Sequence, residues 1–272
     1  MLRKIFKRTF MANLEKENRL ILVTNDDGVD AKGIKYLTEI ALNFGDVVVI
    51  APDKGKSGMS HSVSLNEPIY IDKIKDTKGL EIYACSGTPA DSVKIALHKI
   101  LKRKPDLILS GINHGSNASV SAIYSGTVAA AREGSMNGIT SIAFSLLSHA
   151  PDADFSAAAK YAHIIIEKVL ENGIAKQTCL NVNIPNVPEN DLKGIKMCRQ
   201  TLGKWIEEFD YRVNPHNKDY YWLTGKFSNF EPSAEDTDEW ALNNNYVAIV
   251  PIEVDLTSYS ALKDLQKWDF KF

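Results

Sequence analysis

LILVTNDDG, at residues 20–28, is the stretch that decides the fold of this chain. Its apolar run is short and continuous and stops at the turn-forming residues Asn-Asp-Asp-Gly, a pattern that predicts a strand buried on both faces. Apolar residues then recur at helical spacing from Ile34 to Phe44, and Gly45 follows as a helix end. A second apolar run, DVVVIA, comes next at 46–51. Strand, helix and strand at this spacing predict a parallel sheet covered by helices on both faces.

The same alternation continues to about residue 190 and then changes. Further strands are predicted at 80–87, 106–111, 139–146 and 179–185, and further helices begin at Thr88, Gly126 and Phe155. Beyond this point aromatic, alternating stretches such as YYWLTGKF at 220–227 predict an antiparallel ribbon. YVAIVPI at 246–252 predicts a last strand that returns to the core. The predicted fold class is α/β, a mainly parallel sheet flanked by helices with an antiparallel C-terminal extension.

Composition and charge place the chain among ordinary globular proteins. Its 272 residues suffice for one large domain, or for one domain with a smaller appendage. With 44% hydrophobic and 24% charged residues, the chain has enough apolar material for a substantial core. The formal net charge of -2 gives no indication of a nucleic-acid duplex as partner. No apolar run reaches the roughly 18 residues needed to span a bilayer, so we expect no membrane partner.

We divide the chain into three parts and expect it in the cytoplasm. Residues 1–18 are predicted to be a flexible lead-in, residues 19–190 the core, and residues 191–272 an arm that returns to the core. The basic start MLRKIFKRTF also allows a transit peptide, but we favour a reading in which Met11 is the true start. The three cysteines form no C-x-x-C motif, and their odd number disfavours a disulfide framework. A reducing cytoplasm is consistent with such thiols.

Polar side chains gather where the predicted strands end. In parallel α/β sheets, ligands bind outside the carboxyl ends of the strands. The predicted strand ends are followed by Asn25, Asp26, Asp27, Ser57, His61, Asn113, His114 and Asn117, and the last of these loops leads to Ser125, Gly126 and Thr127 at a helix start. We expect these residues to meet at one edge of the sheet.

The adjacent carboxylates Asp26 and Asp27 indicate a cation site. Like charges at close range disfavour each other's ionisation, and a bound cation compensates for that repulsion. The available ligands all offer oxygen, which suits Mg²⁺, Mn²⁺ or Ca²⁺ and not zinc. The candidate ligands are Asp26, Asp27, Ser57 and Asn113. The alternative is that Asp-Asp-Gly is a polar turn, or that Asp27 caps the next helix.

Ser125-Gly126-Thr127 is a candidate phosphate cradle. A helix N-terminus offers unpaired N–H groups and a positive dipole, and glycine lets an anion approach closely. The alternative is that Ser125 is an ordinary helix cap. We also expect Asn25 and Asn117 to contact the substrate.

The histidines His61 and His114 lie in the same loops and could donate protons. The alternative is that both are ordinary surface residues.

Several motifs together resemble the SurE family of survival-protein nucleotidases. The motifs are ILVTNDDG at 21–28, APDKGKSGMSHS at 51–62, SGTPADSVKIAL at 86–97, SGINHGSN at 110–117 and YSGTVAAAREG at 124–134. The similarity extends from residue 20 to about residue 257. One motif alone would be weak, but several in order are specific.

The resemblance implies a function, a cofactor and an assembly. It implies a metal-dependent 5′-nucleotidase that hydrolyses nucleoside monophosphates to nucleoside and phosphate, with catalytic carboxylates at Asp26 and Asp27. It implies metal ligands at Asp26, Asp27, Ser57 and Asn113, for one divalent cation per subunit, which we expect to be Mg²⁺ or Mn²⁺. It further implies a Rossmann-like core, with an arm that helps to form a homodimer or homotetramer.

The sequence departs from the family pattern near the expected substrate. Family members often have Arg and Pro where this chain has His114 and Ser116, and many carry an acidic residue where this chain reads ASVSAI at 118–123. These departures leave the metal ligands in place. They leave open which base is preferred, and whether 3′- as well as 5′-phosphates are accepted.

Other Mg²⁺-binding or nucleotide-binding folds remain as alternatives. A receiver domain needs a phospho-accepting Asp after a later strand, where this chain offers Ser110 and Asn113. A haloacid-dehalogenase-type phosphatase needs Asp-x-Asp after its first strand, and a dinucleotide-binding module needs G-x-G-x-x-G there. TNDDGVDAKG at 24–33 has neither. A receiver-like or catalytically silent Mg²⁺-dependent nucleotide-binding protein therefore stays the alternative function.

Overall fold

A computed structural model describes residues 19–270 of the chain. The expected lead-in, residues 1–18, lies outside the described residues. The strands are β1 (Leu20–Thr24), β2 (Asp46–Pro52), β3 (Ile71–Thr77), β4 (Leu80–Cys85), β5 (Leu107–His114), β6 (Thr140–Leu146), β7 (Thr178–Ile184), β8 (Ile195–Met197), β9 (Gly203–Ile206), β10 (Phe209–Val213), β11 (Asp219–Leu223), β12 (Lys226–Asn229) and β13 (Val247–Glu253).

Helices fill most of the connections between the strands of the core. The α-helices are α1 (Lys32–Ala41), α2 (Pro89–Ile95), α3 (Ser121–Tyr124), α4 (Gly126–Met136), α5 (Ser156–Asn172), α6 (Asp238–Asn243) and α7 (Tyr259–Leu265). A π-helical turn at Ala96–Ile100 continues α2, and a short 3-10 helix lies at Glu189–Asp191. Within the described part of the chain, no helix combines the length and apolarity that a membrane span requires.

Nine strands form one mixed sheet, in the order β3-β4-β2-β1-β5-β6-β7-β13-β8. The six strands from β4 to β7 in this order all run parallel. On one side of these strands, the edge strand β3 pairs antiparallel with β4. On the other side, β13 pairs antiparallel with β7 and parallel with the edge strand β8. The predicted α/β class, with a mainly parallel sheet and an antiparallel C-terminal extension, is confirmed.

The first strand shows why its sequence is continuously apolar. Ile21 and Val23 belong to a core cluster that includes Leu37 of α1. Leu22, which points to the opposite face, packs in a second cluster with Val93 of α2. Because successive side chains of a strand face opposite sides, a strand covered on both faces needs apolar residues at every position.

Two helices also begin where the sequence predicts. The hydroxyl of Thr88 accepts the N–H of Asp91, and the carboxylate of Asp91 accepts the N–H of Thr88, which completes a capping box at α2. Pro89 occupies the first helical position, where its missing N–H costs nothing. The bounds of α4 coincide with the predicted stretch GTVAAAREGSM.

Two strands differ from expectation. The predicted strand at 106–111 extends to His114, with an irregular register between Ser110 and Asn113. Asn113 is therefore on the strand itself and not in the following loop. The edge strand β3, IDKIKDT, lacks the apolar signature of a buried strand because six of its seven residues are exposed.

The predicted ribbon is present as two antiparallel pairs, β9 with β12 and β10 with β11. The β10–β11 pair carries several exposed large side chains, among them Phe209, Tyr221 and Trp222. β8 and β13, which also follow residue 190, join the nine-stranded sheet.

Candidate active site

The turn after β1 is shaped by Asn25. Its Nδ2 donates to the carbonyl of Gly28 at 2.8 Å, and its Oδ1 accepts the N–H of Gly28 at 3.2 Å. Gly28 has a φ of +106°, a conformation that side chains rarely adopt. The amide of Asn25 thus holds the ends of the turn together and fixes Asp26 and Asp27 between them. Asn25 does not line the cavity described below, and its substrate contact stays a prediction.

Asp26 is buried and is held by the start of α4. The hydroxyl of Thr127 donates to its Oδ1. A side-chain carbon at Gly126 would lie 2.9 Å from Cβ of Asp26, so only glycine permits this approach. Burial raises the pKa of Asp26 to about 6, with the hydrogen bond from Thr127 acting against the shift and the charge of Asp27 adding to it.

Asp27 is fixed from the end of β5. The N–H of His114 donates to its Oδ2 at 2.9 Å. The pKa of Asp27 is raised above its ordinary value because the carboxylate is buried. This N–H and the imidazoles of His114 and His149 offset part of that shift. Asp27 and His114 are 87 residues apart in the sequence. Their pairing depends on β1 and β5 being neighbours in the sheet.

Ser57 is placed next to Asp26 by the loop after β2. The N–H of Lys56 donates to the carbonyl of Asp26 at 2.7 Å. Further along this loop, Nε2 of His61 lies 3.0 Å from the carboxylate of Glu133 on α4. Glu133 thereby ties the loop to α4, the same helix that holds Asp26 through Thr127.

Glu133 is a buried carboxylate with two basic partners. Its side chain is 3% exposed, and Nζ of Lys94 lies 2.9 Å from its Oε1, opposite His61. Burial alone would raise the pKa of Glu133, but the hydrogen bonds from His61 and Lys94 lower it to about 2. His61, a predicted proton donor, is therefore an anchor of the Ser57 loop in this structure, and it does not line the cavity.

Asn113 and Asn117 follow each other at the end of β5. Nδ2 of Asn113 donates to the carbonyl of Gly115 at 2.9 Å, and Asn113 lines the cavity described below. Nδ2 of Asn117 donates to the hydroxyl of Ser145 at 2.8 Å. The N–H of Asn117 donates to Oδ1 of Asn183, and Nδ2 of Asn181 donates to the carbonyl of Asn117, so two side chains of β7 hold its main chain. The alternating asparagines of NVNIP at 181–185 are the sequence feature that could have indicated this support.

One cavity of about 500 Å³ brings much of the predicted site together. Of the predicted site residues, those that line it are Asp26, Ser57, Asn113, Asn117 and Ser125. Those that do not line it are Asn25, Asp27, Gly126 and Thr127. Thr127 and Gly126 lie behind the cavity wall and contact Asp26, so their position favours a role in holding that carboxylate.

The start of α4 serves more than one purpose. The hydroxyl of Ser125 accepts the N–H of Val128 at 3.0 Å, as a helix cap does. Ser125 also lines the cavity, so the positive end of the helix faces the space beside Asp26.

The cavity also includes residues that the sequence did not single out. His149 lies just after β6, a strand end where polar residues could have been considered. Tyr124 precedes α4. Trp205, Glu208, Leu223 and Thr224 come from the arm, and nothing in their local sequence indicates where the arm folds.

The oxygen atoms of the side chains around Asp26 are suitable ligands for a hard divalent cation. Asp26, Asp27, Ser57 and Asn113 provide carboxylate, hydroxyl and amide oxygens, the ligand types that Mg²⁺ and Mn²⁺ prefer. Within residues 19–270, no group of three or more His, Cys, Asp or Glu residues could hold a metal ion. A metal here would therefore depend on Ser57 and Asn113 as well as on the two carboxylates.

The charge balance of the cavity supports the same conclusion. Among the described residues, none that lines the cavity is Lys or Arg. A phosphate dianion bound beside Asp26 would meet another negative charge there, and it would lack a basic side chain to neutralise it. A divalent cation between the carboxylates and the phosphate removes this conflict.

Comparison with known proteins agrees with this geometry. Residues 21–207 match the family described as Survival protein SurE. The protein named 5′-nucleotidase SurE from Christiangramia forsetii is 50% identical over 257 residues, which cover 94% of this chain and 98% of that protein. The protein of the same name from Flavobacterium johnsoniae is 50% identical over 256 residues, with the same coverage of 94% and 98%.

A solved structure shares the fold. The crystal structure of the SurE protein from Aquifex aeolicus superimposes with a TM-score of 0.79 at 40% identity. The match covers 91% of this chain and 98% of that chain.

Proposed function

This chain belongs to the SurE family, and from that premise we propose that it is a metal-dependent 5′-nucleotidase that hydrolyses nucleoside monophosphates to nucleoside and phosphate. The observation that carries the proposal is the convergence of Asp26, Ser57 and Asn113 on a cavity whose described lining contains no Lys or Arg. A site of this kind suits a phosphate monoester only together with a cation.

The first task of the protein is to hold a divalent cation. Asp26 and Asp27 would bind it through carboxylate oxygens, and Ser57 and Asn113 would complete the ligand set. When bound, the cation would neutralise charge on the phosphoryl group and lower the pKa of a water molecule. We propose one such cation per subunit, Mg²⁺ or Mn²⁺.

The second task is to keep these ligands from moving. Thr127 holds Asp26, the N–H of His114 holds Asp27, and Lys56 fixes the start of the Ser57 loop. Because these partners come from different parts of the chain, the folded sheet sets the ligand geometry before substrate arrives. Preorganisation of this kind avoids reorganisation during the reaction.

The third task is to place the phosphate and to assist the leaving group. The start of α4, with Ser125 in the cavity wall, presents the positive end of the helix dipole to the phosphate. His114 and His149 also line the cavity. Imidazoles are the side chains that most often transfer protons in catalysis, so either can protonate the leaving oxygen of the nucleoside.

We propose that the arm mediates a homodimer or homotetramer and that the protein is cytoplasmic. The exposed aromatic side chains of β10 and β11, including Phe209 and Trp222, support self-association. The three cysteines are free and buried, which is consistent with a reducing compartment.

A panel of phosphate esters tests the reaction. The purified protein, supplied with Mg²⁺ or Mn²⁺, is expected to release inorganic phosphate from purine and pyrimidine nucleoside 5′-monophosphates, because the proposed ligands Asp26, Ser57 and Asn113 share one cavity with Ser125 at the start of α4. Release is measured for ribo- and deoxyribonucleotides and for the corresponding 3′-monophosphates. Binding of these nucleotides without phosphate release would instead favour a catalytically silent nucleotide-binding protein.

Thermal melts of Asp26→Asn test the cation site. Burial and the adjacent Asp27 make the charged form of Asp26 costly, so the variant is expected to be at least as stable as wild type in chelator. A ligand at about 100 times its Kd adds roughly 2.7 kcal/mol, a rise in Tm of about 5–10 °C for a chain of this size. Wild type should show this rise on addition of Mg²⁺ or Mn²⁺, and the variant much less. Equal shifts in both proteins would remove Asp26 from the ligand set.

A further inference from the structure

The cavity has a second wall that the phosphate chemistry does not use. Trp205 and Glu208 come from β9 and the turn after it, and Leu223 and Thr224 come from the end of β11 and the turn after it. The phosphate end, in contrast, is built from the carboxyl ends of β1 and β5 and from the start of α4. The cavity therefore extends from the strand ends to the arm.

The indole of Trp205 is held in place within the arm. It lies across from Phe227 of β12, with ring centroids 6.2 Å apart at an angle of 68°. A side-chain carbon at Gly203 would lie 2.3 Å from Cζ of Phe227, so this glycine makes room for the supporting ring. Trp205 itself is half-buried. A ring that is supported within the arm and open to the cavity can serve as a stacking surface.

The base of the arm is fastened to the strand-end loop. The buried carboxylate of Asp238 accepts the N–H of Ser119 at 2.8 Å and the N–H of Thr201 at 2.9 Å. The hydroxyl of Ser119 donates to the carbonyl of Thr201 at 2.8 Å. Ser119 follows Asn117 by two residues, and Thr201 precedes Trp205 by four. The position of the aromatic wall is thus tied to the position of the phosphate end.

The chemistry of this wall suits a neutral, flat group. Trp205 and Leu223 offer apolar surface, and Glu208 contributes a carboxylate. Because the arm contributes no Lys or Arg to the described lining, a second phosphate would be repelled there. A nucleobase has a π-face that can stack on an aromatic ring. It also has N–H groups that can donate hydrogen bonds to a carboxylate or a hydroxyl.

We propose that this wall is the base-binding subsite, in which the nucleobase stacks on the indole of Trp205 while Glu208 and Thr224 meet its polar edge. The inference rests on the proposed function, since it takes the phosphate of the same nucleotide to lie beside Asp26. The cavity of about 500 Å³ lies within the range of ordinary small-ligand pockets, roughly 300–1,000 Å³. Stacking on Trp205 would then distinguish nucleotides from simple sugar phosphates.

The test compares a nucleotide with a phosphate ester that lacks a base. Trp205→Ala is expected to raise KM for AMP about 10-fold, because loss of a stacking partner weakens binding of a base by that order. Turnover of ribose 5-phosphate should be unchanged, which also reports that the variant is folded. Trp205→Phe should restore most of the affinity for AMP. Trp268→Ala removes an exposed indole outside the cavity and should leave both substrates unaffected.

A binding measurement separates this inference from the proposed reaction. Titration calorimetry of AMP with wild type and Trp205→Ala, in the presence of Mg²⁺, needs no turnover. If wild type binds AMP more tightly than the variant but releases no phosphate, the subsite stands and the nucleotidase proposal fails. If AMP binds equally to both proteins or to neither, or if Trp205→Ala impairs both phosphate esters alike, the base-binding role is overturned.

Discussion

Asp27→Asn is expected to lower kcat for nucleoside monophosphate hydrolysis at least about 100-fold, the loss seen when a strong contact is removed from a preorganised site. The substitution removes one negative charge of the pair that would hold the cation. It preserves the shape of the side chain, and the remaining oxygen can still accept the N–H of His114. Steady-state phosphate release with saturating Mg²⁺ or Mn²⁺ gives the comparison.

The matched control for this substitution is Asp30→Asn. Asp30 is exposed, lies three residues further along the same turn, and does not line the cavity. Its variant should keep the wild-type kcat. Wild-type turnover by Asp27→Asn would show that the Asp27 carboxylate is not needed for hydrolysis. An equal loss in Asp30→Asn would show that the loss is not specific to Asp27.

Gly126→Ala is expected to reduce kcat/KM by about 100-fold, because a displacement of roughly 1 Å in a catalytic group can cost that much. The added carbon would lie 2.9 Å from Cβ of Asp26 and 3.0 Å from Cγ of Pro89. Either Asp26 or the start of α4 must move to relieve this contact. Both movements would disturb the site, since Thr127 of α4 holds Asp26 and, in the proposed function, the start of α4 faces the phosphate.

The control for a glycine near the site is Gly55→Ala. A side-chain carbon at Gly55 would meet only the carbonyl of Asp27, at an ordinary 3.7 Å. Its variant should therefore be active, while circular dichroism and thermal melts establish that both variants are folded. A folded Gly126→Ala protein with unchanged kcat and KM would contradict the role given to the start of α4.

Much of the fold was predictable because its signals are local. The continuous apolar runs of β1 and β2 mark strands covered on both faces, and the cap at Thr88 marks a helix start. The meeting of Asp26 and Asn113 at one cavity could be predicted for the same reason, since both lie at the ends of apolar strands. Parallel strands then bring their carboxyl ends to one edge.

The remaining features depend on contacts between distant parts of the chain. Thr127 and Asp26 are 101 residues apart, and no local pattern indicates that the hydroxyl of Thr127 donates to the carboxylate of Asp26. Trp205 lines the cavity from an arm that Asp238 ties to the loop of Ser119, a contact between distant parts of the chain. The exposed strand β3 has no local sequence signal, because its charged sequence has no buried face.

The dependence of phosphate release on metal tests the central claim most directly. Wild-type protein is stripped with chelator, freed of the chelator, and assayed with a nucleoside 5′-monophosphate while Mn²⁺ or Mg²⁺ is titrated back. If Asp26, Asp27, Ser57 and Asn113 hold a catalytic cation, stripped protein should release no phosphate above background and activity should return saturably with metal. Full turnover by protein shown to be metal-free would contradict the account.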